Sequence, residues 1–208
     1  MPEELWSAIA KLAPSEVNEL YGRPEHRTKL DTYSRDRQHD LFACARHNGT
    51  TVLVVGIEAK ACEDFAGIVA DRGPSGVPSK KRARCNLLAR ALFGREVFDE
   101  GTGEILDEPL SRHGYQLWTA AVGTIIEAQQ RGVDDAALVV QQFVPPDPNV
   151  AFPTGDSRHW PSARAANDEA FHAFAAEFEA SGSTSHATDF VKAGTALHLV
   201  KIDSMIND

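Results

Sequence analysis

Hydrophobic positions along the chain follow two rhythms. Leu5, Ile9 and Leu12 recur at helical spacing and predict a short amphipathic helix over 3–12. Ser15 stands where the cap of a second short helix belongs, over 16–21, closed by Gly22 and Pro24. Residues 1–30 therefore read as a helical N-terminal segment, and 23–38, polar and charged, as an exposed lead-in. Then the period shortens. HDLFACAR (39–46) and TVLVVGIEAK (51–60) are β-prone runs joined through Asn48-Gly49, which predicts a hairpin. The second run is almost wholly apolar, as in a strand covered on both faces.

Beyond the hairpin, 63–70 reads as a helical turn and RGPSGVPS (72–79) as a loop. Residues 80–94 predict a helix with a basic start and a glycine stop, and 99–109 an acidic loop. Leu117, Ala121 and Ile125 form one stripe of a long helix over 113–132, with Trp118 expected in the core. AALVVQQFV (136–144) reads as a buried strand stopped by Pro145-Pro146. Residues 146–162 form an irregular loop, longer than most connections in a compact domain. Phe171, Phe174 and Phe178 mark the apolar side of a helix over 163–182, and 194–203 reads as the last strand. That order predicts a single domain over 1–208, an α/β sandwich with a mixed central β-sheet flanked by helices.

Composition narrows the function classes. The chain is 42% hydrophobic, ordinary for a globular protein. No run approaches the ~20 apolar residues of a membrane span, and the acidic start is unlike a secretory signal, so a cytoplasmic protein without membrane contact is expected. Three cysteines, Cys44, Cys62 and Cys85, form no CxxC pair, so neither a disulfide framework nor a zinc site is indicated. Eight histidines show no HxH or HxxxH spacing, and GPSGVPSKK lacks the spacing of a phosphate-binding loop. A net charge of −9 argues against a protein that coats nucleic acid non-specifically, while leaving room for a local basic patch.

The chemistry concentrates in the hairpin. Asp40 lies at the start of its first strand, and Glu58 and Lys60 at the end of its second. Each charge borders an apolar run, where leaving it unpaired is costly. A divalent metal would offset that cost: Mg²⁺ takes oxygen ligands, commonly one or two carboxylates plus substrate phosphate. The Ala59 carbonyl is a further candidate ligand, and Lys60 a candidate to orient water or stabilise developing charge. Parity sets a condition. Glu58 and Lys60 share a face, but a regular two-residue loop pairs Asp40 with Ile57 and turns it away from them. A common face requires a three-residue loop, His47-Asn48-Gly49, or an equivalent bulge elsewhere in the strands. Taken alone, the same pattern also fits a solvated strand end with a surface Glu–Lys pair.

DLFACARHNGTTVLVVGIEAK resembles the metal-binding hairpin of the PD-(D/E)XK nuclease superfamily. With PSKKRARCNLLARALFG and GYQLWTAAVGTIIEA it is similar to a bacterial restriction-endonuclease-like group, over about residues 38–145. His39 stands where the superfamily's name has proline. The resemblance implies a restriction-endonuclease-like sandwich. It also implies metal-dependent cleavage of DNA, with RNA an open alternative, using Mg²⁺ or Mn²⁺. Asp40 and Glu58 would then be metal ligands with the Ala59 carbonyl, and Asp40, Glu58 and Lys60 the catalytic set. Many such folds carry an acid on the first helix, for which Glu16 and Glu19 are the candidates, and many pair as homodimers.

Arg72, Lys80, Lys81, Arg82 and Arg84 make the one concentrated basic stretch, either a phosphate-contacting patch or a solvated helix start. Cations at a helix N-terminus oppose its dipole, which favours the first reading. Tyr115 and Gln116 open the long helix; in the resembling proteins that start falls near the active site, so Gln116 is a candidate phosphate or water contact. Glu63 and Asp64 are either additional ligands or plain loop acids. Two functions therefore stand at the end of the sequence: a metal-dependent endonuclease with a restriction or defence role, and the same fold kept as an inactive binding scaffold.

Overall fold

The computed structural model describes residues 3–32, 36–61, 63–65, 67–72, 79–145 and 160–205. Most of the long 146–162 loop, the core of the Gly-Pro-Ser loop and Cys62 lie outside them. The chain opens with helix α1 (Glu3–Leu12), followed by strands β1 (Glu19–Thr28), β2 (Arg37–His47) and β3 (Thr50–Lys60). A 3-10 turn, Val69–Arg72, precedes α2 (Lys80–Phe93), the short α3 (Glu108–Ser111) and α4 (Tyr115–Gln130). Strand β4 (Asp135–Val144), helix α5 (Trp160–Ala180) and strand β5 (Ala196–Met205) complete the fold.

The five strands form one mixed sheet in chain order, β1-β2-β3-β4-β5. The first three are an antiparallel meander, and β3, β4 and β5 run parallel. Parallel neighbours need crossovers, and α2, α4 and α5 supply them. Both crossovers advance the same way across the sheet, so a constant hand sets their helices on one face. That face carries the larger core, in which Phe42, Cys44 and Val54 meet Trp118, Leu117, Phe93, Phe174 and Phe178. Helix α1 covers the other face, with Leu5 and Ile9 against Ala43, Val55, Ile57 and Val139. The architecture is an α/β sandwich, a mixed sheet with helices on both sides.

The central elements follow from their composition. Helix α4 is buried at every position from Leu117 to Ala128, so its apolar stripe widens to the whole circumference. Ser79 caps α2 by accepting a bond from the Lys81 amide, and Gly94 closes it in the left-handed region at φ 70°.

The N-terminal segment departs from expectation. Residues 16–21 are not a helix, and much of the expected lead-in is strand: β1 runs from Glu19 to Thr28. It is an edge strand, exposed at most positions, so no apolar alternation marks it. Gly22 and Pro24, read as a helix stop, sit inside it, and an edge is where a strand tolerates proline. Glu16 and Glu19 therefore lie on no helix.

The β2–β3 turn decides the parity question. Asn48 and Gly49 form a two-residue loop with φ of 49° and 78°, and His47 pairs with Thr50. Two positive φ values in succession are the signature of a type I′ turn. The ladder then slips: Arg46 pairs with Thr51 but Ala45 with Leu53, leaving Val52 as the extra residue of a bulge. Below it, Leu41 stands opposite Ile57, one step from where the uninterrupted loop would have put it.

Candidate functional site

The site lies where β2 and β3 part. Their paired ladder ends at Leu41 and Ile57, and one step further the register carries Asp40 opposite Glu58. The two strands do not continue backbone to backbone. Instead the Asp40 carboxylate accepts a bond from the Ala59 amide at 2.8 Å, standing where a strand neighbour's carbonyl would be. Side-chain alternation slips at the same point. His39 packs against Gly56 and Gly123, while Phe42, three residues on, is in the same helix-side core. Glu25, opposite Asp40 on β1, has a φ of 51°, and no β1–β2 pair is formed at that level. The departure from regular pairing is what releases the Asp40 side chain into the gap.

Glu58 and Lys60 project on the helix side and are buried, at 2% and 3% exposure. The Glu58 carboxylate is held from both ends, by Arg37 of β2 and by the Lys60 ammonium at 3.0 Å. Lys60 also donates to Gln116 Oε1 of α4 at 3.1 Å and lies 3.5 Å from the exposed Glu63 carboxylate. Three acceptors for three N–H bonds fix the ammonium in place. The Phe65 ring, centred 5.5 Å from Nζ, walls one side.

The sequence-predicted set is thus brought together: Asp40, Glu58, Ala59 and Lys60 at the strand ends, with Gln116 and Glu63 beside them. Asp64 is exposed on the following loop. The basic stretch disperses. Arg82 is fully buried against Gly103. Arg84 is spent on a two-bond pair with buried Asp31, at 2.5 and 2.7 Å. Arg72 stacks over the Tyr115 ring at 4.9 Å, which leaves Lys80 and Lys81 as the exposed cations of that run.

Three residues were missed in the sequence. Arg37 looked like part of the polar lead-in, yet it is the closest cation to Glu58. Gln142 of β4 is the register partner of Lys60, fully buried, and among the described residues neither its amide nitrogen nor its amide oxygen has a hydrogen-bond partner. Asn167 of α5 is 1% exposed; its nitrogen donates to the Glu63 carbonyl at 2.9 Å and its oxygen is unpartnered. The signal for Gln142 was present: QQ interrupts an otherwise apolar strand at the level of the ExK end.

A second polar cluster lies under the same helix. Glu127 of α4 accepts from Thr28 at 2.6 Å, faces His26 at 3.0 Å and pairs with Arg131. Burial alone would raise its pKa, but these three partners together hold it below the ordinary carboxylate value. Between the two clusters His39 is buried and neutral. Burial, then the nearby Arg37 charge, pull its pKa down to about 3. Burial likewise lowers His113 to about 4 and pushes the Cys85 thiol up to about 12, so that thiol is inert.

Do these residues suit a divalent metal? The donors are hard oxygens, the type Mg²⁺ prefers. In an extended strand one residue's N–H and C=O point to the same edge. Since the Ala59 N–H meets Asp40, its carbonyl opens into the same gap. The second Asp40 oxygen makes no bond among the described residues, and Asp40 is exposed. Against this, both Glu58 oxygens already face cations. Among the described residues no cluster of three or more His, Cys, Asp or Glu is arranged to hold a metal. The set that fits has two carboxylates and one main-chain carbonyl, below that number of side chains. Also among the described residues, no helix is long and apolar enough to cross a membrane.

No curated protein and no solved structure matches the chain. The model of one family does, over residues 1–205, nearly the whole length. The chain belongs to that family, described as a domain of unknown function (DUF6946).

Proposed function

We propose that the protein is a metal-dependent endonuclease of the PD-(D/E)XK type, hydrolysing phosphodiester bonds of DNA. The observation that carries the reading is the seat of Asp40: its carboxylate accepts from the Ala59 amide at 2.8 Å, at the residue between Glu58 and Lys60. Asp40, Glu58 and the Ala59 carbonyl would hold Mg²⁺ or Mn²⁺. A bound ion supplies a Lewis acid for the phosphoryl oxygen and lowers the pKa of a coordinated water. The rest is the work of the chain. Water oxygen would add in line to phosphorus, its proton passing to solvent, as the bond to the leaving sugar oxygen breaks and that oxygen takes up a proton from solvent. Lys60 lies against the charge that develops, its position fixed by Glu58, Gln116 and Glu63. Phe65 and the buried β3–β4 end keep bulk water from the ammonium, which strengthens that interaction.

The test is direct. Purified protein is incubated with supercoiled plasmid and with single-stranded DNA and RNA, in Mg²⁺, Mn²⁺ or EDTA. Metal-dependent nicking or cutting is expected on DNA, and its absence in every metal overturns the reading.

The second reading, an inactive scaffold, has its own observation. Arg37 and Lys60 already neutralise Glu58, so the pocket is electrically complete without an ion. Calorimetry with Mn²⁺ separates the two: the nuclease binds the ion at one site that Asp40→Ala removes, and the scaffold gives no specific heat.

A further inference from the structure

Gln142, like His39, is buried with no hydrogen-bond partner at either of its polar atoms among the described residues. A buried primary amide has two N–H donors and an accepting oxygen, and native folds almost always satisfy them. Here the residue has no exposure and neither end is bonded among the described residues. Leaving such an amide unpaired destabilises the fold. Its neighbour on the same strand shows the ordinary solution: Gln141, on the opposite face, donates to Ser204 at 3.0 Å.

The position of the anomaly is informative. Gln142 pairs in register with Lys60, so both side chains stand on the helix side of adjacent strands. Lys60 cannot serve the Gln142 oxygen, because Glu58, Gln116 and Glu63 already surround the ammonium. On α5, Asn167 is tied to the Glu63 carbonyl and leaves its own oxygen unbonded among the described residues. Two buried amides with unmet hydrogen bonds therefore border the site, Gln142 in register with Lys60 and Asn167 on Glu63, the residue whose carboxylate faces that lysine.

We infer that Gln142 is a substrate-contacting residue, its amide left without a partner among the described residues so that it can take up a hydrated phosphodiester. The amide nitrogen donates to a non-bridging phosphate oxygen, and the amide oxygen accepts from a water carried with it. A bare phosphate has no hydrogen to offer the oxygen, so a ligand with both an acceptor and a donor is required. The inference rests on the nuclease reading and names a subsite of the same centre.

The experiment compares wild type with Gln142→Leu, which keeps the volume and removes the polarity, and with Gln142→Glu, which keeps the shape and the acceptor and removes the donor. Three readouts are taken: melting temperature of the free protein, Mn²⁺ binding by calorimetry, and cleavage of a fluorescein-labelled duplex. Expected are a Gln142→Leu melting temperature equal to or above wild type, unchanged Mn²⁺ affinity, and cleavage slowed about 10²-fold, as for loss of one transition-state donor. Gln142→Glu should cut equally poorly. If wild type cuts and either variant cuts within threefold of it, the subsite is overturned while the nuclease reading stands. A clear fall in melting temperature for both variants overturns it too, since the amide is then part of the fold. If wild type neither binds Mn²⁺ nor cuts, the nuclease reading fails and takes the subsite with it.

Discussion

Two buried glutamates lie on the same side of the sheet and are held in contrasting ways. Glu127 is ringed by Thr28, His26 and Arg131, and its network closes on itself. Glu58 meets Arg37 and Lys60, and from Lys60 the network runs outward to Gln116 and Glu63, beside one buried amide with no partner among the described residues and another with an unbonded oxygen. Burial and charge are nearly equal, at 3% and 2% exposure, so neither distinguishes a site from a scaffold element. What differs is completeness. A closed polar network adds to stability and specifies packing; an open one gives up stability at a place where something else must bind.

Each prediction sets one cluster against the other. The largest effect is expected at the open end. Lys60→Ala and Asp40→Ala should each lower cleavage at least about 10³-fold, ~4 kcal/mol of barrier, with melting curves confirming that the variants fold. Cutting that survives in both would remove the assigned centre. Glu127→Ala should do the reverse. It strands Thr28, His26 and Arg131 without their acceptor and should cost about 3 kcal/mol in urea unfolding, while activity per folded molecule stays level. Loss of activity without loss of stability would erase the contrast.

Acid comes next. His39 and His113 have folded pKa values of about 3 and 4, below the ordinary 6.5. The unfolded chain binds their protons first, so stability is complete above about pH 6.5 and falls as pH drops toward 4. Each contributes a slope of up to about 1.4 kcal/mol per pH unit in that window. Urea titrations of wild type and His39→Gln across pH 4–7 read it; identical slopes would mean that His39 protonates without penalty. The smallest effect is at Arg37. Arg37→Gln should raise Mn²⁺ affinity about threefold, ~0.7 kcal/mol, by freeing one Glu58 oxygen. Weaker binding would instead make Arg37 a support of the metal site.

The elements legible in the sequence were those with an unambiguous period. The hairpin, α4, β4 and α5 each carry long apolar runs or stripes that tertiary packing then uses. Strand β1 was illegible for a physical reason: at an edge, with solvent around most of its side chains, ELYGRPEHRT has no pattern that burial needs to enforce. The candidate site was half legible. Asp40, Glu58 and Lys60 stand out because charge ends an apolar run. Arg37 did not, because its partner is set by strand register rather than by neighbours in sequence. Arg82 misled in the opposite sense: an arginine in a basic run was read as surface and is interior. Gln142 needed the β3–β4 alignment to acquire meaning, and a parallel pairing across 82 residues leaves no local trace.

The unpaired Val52 has a consequence for how this hairpin tolerates change. It sits next to the turn, six residues from Glu58, ~20 Å along an extended strand. The phase of the functional end is therefore set remotely, by a count of residues near the tip. Substitutions there should be absorbed readily, whereas dropping or adding a single residue would reverse which way the strand's far end presents its charges unless the turn re-formed to compensate.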